Sequence, residues 1–221
     1  MAGNLLLLFD LDGTLVNTVD SIIMCANKVR VLHQLPERDP SEIYSKVGLP
    51  PNEFFNDLVL SSEQSIKLVA DFRNALNEMK FDKSDLYPGT CEILEFFKGQ
   101  SVPLAVATNK PTANAELLLA KTAIRDYFVT VQGSDKLKPK PHPDILLKVS
   151  SDLGISKAIM VGDRSEDIQA ASEAGFRSIG LAQTFHSRSE LERSGASLVF
   201  EGMEEFAKAA NFDFFRDRIL L

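Results

Sequence analysis

Six short apolar runs recur along the chain: "LLLLF" (5–9), "VPLAVA" (102–107), "YFVTV" (127–131), "AIMV" (158–161), "RSIGLA" (177–182) and "SLVF" (197–200). Most lack apolar–polar alternation. A strand with one wet face alternates, whereas a strand covered on both faces does not. Between the runs lie stretches with helical spacing, "GTCEILEFFKG", "TANAELLLAKTA", "PDILLKVSSDLG" and "EDIQAASEAG". Several close on glycine, a common helix stop. Strands alternating with helices predict a doubly wound α/β domain built on a parallel sheet.

Residues 17–86 break that rhythm. "SIIMCANKVRVLHQL" is amphipathic and stops at Pro36. In "DPSEIYSKVG", Asp39 reads as an N-cap, Pro40 as the first helical turn and Gly48 as the terminator. "SSEQSIKLVADFRNALNEM" opens with Ser61 and Gln64 at the spacing of a capping box. The expected organisation is therefore an all-helical domain at 17–86 inserted into an α/β core made of 1–16 and 87–221. "LYPGT" (86–90) reads as the turn back into the core. The loop "KVGLPP" (46–51), stiffened by its prolines, is expected to face that core. The aromatic-rich "NFDFFRDRILL" (211–221) is expected to pack back onto the domain.

Composition narrows the function classes. The chain has 221 residues, 44% of them hydrophobic and 25% charged, an ordinary globular balance. That length buries a sizeable core without staples. Cys25 and Cys91 are the only cysteines, which excludes a disulfide framework and a thiolate metal cluster. A formal net charge of −7 argues against a general nucleic-acid binder. Small anionic substrates remain open, because local lysines can set the local sign. The N-terminal apolar run is far too short to span a bilayer. It also lacks a basic leader and a small-residue cleavage site. A cytoplasmic protein without a membrane partner is expected.

Four segments could carry chemistry. The first is "DLDGT" (10–14), two acids at the end of a buried strand with Gly13 permitting an abrupt turn. Residues two apart in a strand share a side, and open α/β sheets bind ligands beyond their strand ends. The second is "IMVGDRSEDI" (159–168), where another strand ends just before Asp163 and Asp167. A parallel sheet gathers its strand ends at one edge, so these acids can approach Asp10 and Asp12. Crowded carboxylates repel, and a hard divalent cation with oxygen ligands, Mg²⁺ above all, relieves that. The third is "LAVATNKPT" (104–112), where Thr108 and Asn109 precede a helix and offer a seat for phosphate. The fourth is "KLKPKPHPD" (136–144), with Lys136, Lys138 and Lys140 held among prolines. One of these lysines could meet the carboxylates and a phosphate. Lys140, directly before "PHP" and the next helix, is preferred, although the spacing alone leaves Lys138 open. His142 is expected to be exposed.

In this order the four segments resemble the haloacid dehalogenase superfamily in its phosphatase branch, and the overall pattern is closest to phosphoglycolate phosphatases. "FDLDGTLV" matches the first family motif, Thr108 the second, Lys140 the third and "GDRSED" the fourth. The helical insert is similar to the family's first type of cap. "YPGTCEIL" resembles its return to the core, and "ASEAGFRSIGL" the segment after the fourth motif. The resemblance implies a Rossmann-like core and a Mg²⁺-dependent phosphatase for a small phosphorylated metabolite. The sequence does not set the oligomeric state, and a monomer is favoured. By the same likeness Asp10 would be the nucleophile and would become an aspartyl phosphate, and Asp12 would be the general acid and base. Thr108, the Asn109 N–H and Lys140 would hold the phosphoryl group. The metal would sit on the Asp10 carboxylate, the Asp12 backbone carbonyl and Asp163, with Asp167 a further ligand or an acceptor just behind. A sugar-phosphate mutase and a non-catalytic binding protein are the alternatives on this fold. Asn17, Arg164 and "QTFHSRSEL" (183–191) depart from the family pattern.

Overall fold

The structure, a computed structural model, describes residues 5–48, 54–55, 58 and 60–210. The expected packing of 211–221 and the Leu49–Pro51 end of the 46–51 loop lie outside the described residues. The chain divides into two compact units, Thr18–Phe81 and the rest.

The described residues of the first unit form helices and no strand: α1 (Val19–Leu32), α2 (Pro40–Tyr44) and α3 (Ser62–Glu78). α1 packs along α3, burying Val29, Leu68 and Phe72. Phe54 and Phe55 close on the Phe72 ring, with centroids 5.2 and 5.4 Å away. At the end of α1, the His33 Nε2 meets the Asp71 Oδ2 at 2.8 Å. The Asp39 carboxylate caps α2 through the Ser41 N–H. α2 itself stops at Tyr44, and turns carry the chain on to Gly48, whose φ is +88°. The capping box at α3 is complete. The Gln64 N–H donates to the Ser61 hydroxyl, and the Ser61 N–H donates to the Gln64 side chain.

The second unit is the α/β core. Its strands are β1 (Leu6–Phe9), β2 (Leu104–Ala107), β3 (Thr130–Gln132), β4 (Ala158–Gly162), β5 (Arg177–Leu181) and β6 (Leu198–Phe200). All pairings are parallel, in the order β3-β2-β1-β4-β5-β6. Each apolar run thus supplies a strand. "YFVTV" contributes only its end, because Arg125–Tyr127 form a 3₁₀ turn that Arg125 pins by donating to the Phe128 carbonyl. The core helices are α4 (Thr90–Gly99), α5 (Thr112–Lys121), α6 (Asp144–Leu153), α7 (Ser165–Glu173), α8 (Arg188–Arg193) and α9 (Met203–Ala209).

β1 is fully buried, which explains its lack of alternation. Leu6 and Leu8 pack with Ile145, Leu146 and Val149 of α6 and with Ala170 and Ala171 of α7. Leu7 and Phe9 point the other way, where the Phe9 ring meets Phe128 edge-on at 6.3 Å. The strand order reverses direction around β1 and β4, a crevice where open α/β sheets take ligands.

The core resumes at Asp82, before the expected return at Tyr87. The reason is pairing: Asn17 N–H donates to the Asp85 carbonyl, and Val16 bridges Leu86. Among the described residues, no helix is long and apolar enough to cross a membrane.

Ser61→Ala removes one half of the α3 capping box. It should destabilise the protein by about 1 kcal/mol, read as a lower urea midpoint with the slope unchanged.

Candidate active site

β1 delivers Asp10 directly beyond its last paired residue. Asp10 N–H still bonds to the Val161 carbonyl of β4, so its backbone is registered by the sheet. β1 ends at Phe9, however, and Asp12 lies in the turn that follows, where Thr14, Leu15 and Val16 N–H groups converge on the Leu11 carbonyl. The same-side argument for a strand therefore does not extend to Asp12; the turn places it instead. Gly13 makes that turn possible. Its φ is +87°, and a Cβ there would fall 2.6 Å from the Asp163 Oδ2 and 2.9 Å from the Phe185 ring.

Lys140 reaches the same spot from the loop before α6. Its Nζ lies 2.8 Å from the Asp10 Oδ1, 2.6 Å from the Asp167 Oδ1 and 2.8 Å from the Ala107 carbonyl oxygen at the end of β2. All three N–H donors of an ammonium are thereby used. Lys136 and Lys138 are exposed, as is His142. The Asn109 side chain clips the Lys140 backbone on both sides: its Oδ1 accepts the Lys140 N–H at 2.7 Å, and its Nδ2 donates to the Lys140 carbonyl at 3.2 Å. Buried Thr108 accepts the Lys110 N–H on its hydroxyl.

Asp163 and Asp167 follow β4. Thr14 donates its hydroxyl to the Asp163 Oδ1 at 2.6 Å. The Asp163 Oδ2 is buried and has no hydrogen-bond partner among the described residues. Asp167 uses both oxygens, one on Lys140 and one on the Arg164 N–H. Gly162 lets that carboxylate fold back, since a Cβ there would sit 2.2 Å from its Oδ2.

Oxygens of Asp10, Asp163 and Asp167 lie within 4.8 Å of one another. Burial, with the charges of Asp167 and Asp10, holds the Asp163 carboxyl well above its ordinary range. Burial also raises Asp167, to about 6, with Asp10 adding to the rise and Lys140 opposing it. Burial alone would lower Lys140, but the two carboxylates on its Nζ reverse that, and its net shift is upward. Three carboxylates thus face one ammonium in a buried site. With all three ionised the deficit is two charges, and the donors are all oxygen. A hard divalent cation suits that set, and the unpartnered Asp163 Oδ2 is the natural ligand atom.

Sequence reasoning missed three supports of this site. Lys110 binds both oxygens of Asp12, at 2.9 and 2.7 Å. The Gln183 Nε2 donates to the carbonyls of Gly13 and Thr14, while its Oε1 accepts the Met203 N–H. Thr184 also donates to the Gly13 carbonyl. Each partner is remote in sequence, and no local pattern announces the pairing. Arg164 lies over the Phe185 ring with its guanidinium carbon 4.6 Å from the centroid.

Residues 7–181 match the sequence profile of the haloacid dehalogenase-like hydrolase family. The chain belongs to that family and falls with its phosphatases. It is 32% identical over 214 residues to "Probable phosphatase IndB" of Dickeya dadantii, with 93% of each chain covered. It is 31% identical over 204 residues to the phosphoglycolate phosphatase of Pectobacterium atrosepticum, covering 88% of this chain and 87% of that one. The crystal structure of a "predicted phosphoglycolate phosphatase" from Haemophilus somnus superposes with a TM-score of 0.81 at 26% identity. That match covers 92% of this chain and 96% of the other.

The raised acids carry a stability prediction. Above the ordinary carboxylate pKa, the folded metal-free protein binds more protons than the unfolded chain. Its stability therefore falls as pH rises through the folded values. Asp163→Asn removes the more strongly raised group. In EDTA the variant should melt above wild type, by a margin that widens from about pH 5 to about pH 7.5. Added Mg²⁺ should raise the melting temperature of wild type but not of the variant. Equal melting of the two proteins at the upper pH would contradict this electrostatic account.

Proposed function

We propose that the chain is a Mg²⁺-dependent phosphomonoester hydrolase for a small phosphorylated metabolite of the phosphoglycolate kind, working through an aspartyl phosphate on Asp10. The observation that carries this reading is the buried Asp10 carboxylate, held by Lys140 at 2.8 Å beside an Asp163 oxygen that has no hydrogen-bond partner among the described residues.

In the first half-reaction a carboxylate oxygen of Asp10 attacks phosphorus, and the phosphorus–oxygen bond to the leaving group breaks. The proton on the Asp12 carboxyl moves to the departing oxygen. In the second half, water attacks the phosphorus and gives a proton back to Asp12. The bond between Asp10 and phosphorus breaks, and inorganic phosphate leaves. Each half needs positive charge around the equatorial phosphoryl oxygens. Lys140 supplies part of it, and by its contact with Asp10 it also reduces the repulsion between nucleophile and phosphate. Thr108 contributes a hydroxyl donor and Asn109 its main-chain N–H. The metal would be held by the Asp10 carboxylate, the Asp12 carbonyl and Asp163, with Asp167 as a further ligand or as the holder of Lys140. When bound, it supplies the remaining positive charge at the phosphoryl oxygens.

Phosphate release from p-nitrophenyl phosphate and from a panel of phosphorylated metabolites tests this reading. Activity should require Mg²⁺, stop in EDTA and drop to background in Asp10→Asn. Phosphoglycolate is expected among the better substrates, as the named relatives suggest. Metal-independent turnover would refute the mechanism. Conversion of a sugar phosphate to its isomer, without free phosphate, would make the protein a phosphotransferase instead.

A further inference from the structure

We propose that Lys110 is the positioning residue for Asp12, an assignment that rests on the acid–base reading of Asp12. Its Nζ bridges both carboxylate oxygens, at 2.9 and 2.7 Å. The pair is well sheltered, with side-chain exposures of 14% for Lys110 and 10% for Asp12. Asp12 stands past the end of β1, in the turn that leads to Thr14, and the ammonium on both of its oxygens fixes the plane of the carboxylate. A proton-transfer group must be held within hydrogen-bond reach of its target to act.

Lys110 can serve as an anchor because its own backbone is fixed. Its N–H donates to the Thr108 hydroxyl. The Ser134 hydroxyl donates to the Asn109 carbonyl at 2.8 Å, and the Gly133 N–H donates to the Thr112 hydroxyl at 2.8 Å. Thr112 in turn binds Asp135 through both its N–H and its hydroxyl. The fit is close: a Cβ on Gly133 would come within 2.2 Å of the Lys110 carbonyl and 2.4 Å of the Thr112 nitrogen. The turn that launches Lys110 is thus locked against the loop after β3. The two lysines divide the work. Lys140 holds the acid that attacks, and Lys110 holds the acid that moves the proton.

Leaving-group dependence separates this role from simple phosphate binding. kcat/KM reports the steps up to departure of the leaving group. A nitrophenolate leaves without a proton, whereas an alkoxide does not. In Lys110→Met, kcat/KM for the alkyl phosphate that wild type hydrolyses fastest should fall about 100-fold, the scale of a general acid. The loss on p-nitrophenyl phosphate should stay within about fivefold, and inhibition by inorganic phosphate within about twofold. Lys110→Arg, which keeps a cation in reach, should recover part of the alkyl activity. Equal losses on both substrates with weakened phosphate inhibition would make Lys110 a phosphate ligand and overturn the proposal. No loss on either substrate would overturn it too. Asp12→Ala is the control. A split there without one in Lys110→Met defeats the Lys110 assignment alone. No split in Asp12→Ala defeats the acid–base reading of Asp12, and the proposal falls with it.

Discussion

The contact on which the site depends is the buried ammonium of Lys140 between Asp10 and Asp167. Burial by itself would drive a lysine toward its neutral form. The two carboxylates more than reverse that, so the group stays charged. The dependence is mutual. Without Lys140, three acids with oxygens within 4.8 Å of one another would stay buried without the ammonium that pairs two of them. Breaking such a pair from one side leaves an uncompensated buried charge, which is why these pairs are kept intact or replaced as a whole. The third contact of Lys140, to the Ala107 carbonyl, ties the charge cluster to β2. The cluster therefore reports the sheet topology: β1 brings Asp10, β2 brings Ala107, and the β4–α7 junction brings Asp167.

The arrangement remains electrically incomplete. Asp163 has a buried oxygen without a hydrogen-bond partner among the described residues, and its carboxyl is displaced strongly toward protonation. A structure selected only for stability would not keep such a group. It is tolerated because the surrounding sheet is apolar and closely packed, with β1, β2 and β4 buried throughout. The two glycines beside the acids point the same way. Gly13 and Gly162 leave room that any side chain would take from Asp163 and Asp167. Instability is concentrated where a cation would relieve it, a pattern common at functional sites.

The fold was readable from its strands because burial on both faces leaves a signature, the unbroken apolar run, that needs no tertiary information. The caps at Asp39 and Ser61 were readable for a similar reason, since their partners lie two and three residues away. The α/β unit reclaims 82–86 through hydrogen bonds to Val16 and Asn17, and nothing local marks that boundary. In the site, the acids stood out because each follows a strand. The lysine was legible only as a choice among three, and burial separates Lys140 from exposed Lys136 and Lys138. Lys110 gave no signal, because a lysine before a proline at a helix start reads as a solvated residue. Its partner lies 98 positions earlier, a pairing that only the sheet order creates. Gln183 was hidden in the same way.

Arg164 and the 183–185 segment are structurally engaged. The Arg164 guanidinium lies over Phe185 and its Nε faces Glu166 at 3.4 Å. Gln183 joins the Gly13–Thr14 carbonyls to the start of α9 through Met203. Thr184 adds a second bond to the Gly13 carbonyl and meets the Tyr87 hydroxyl at 2.9 Å. Together they brace the turn that carries Asp12 and that orients Thr14 toward Asp163. The segment 183–185 therefore contributes to the geometry of the acids. On the proposed reading the acids set the reaction class, and residues outside this brace set the choice of substrate.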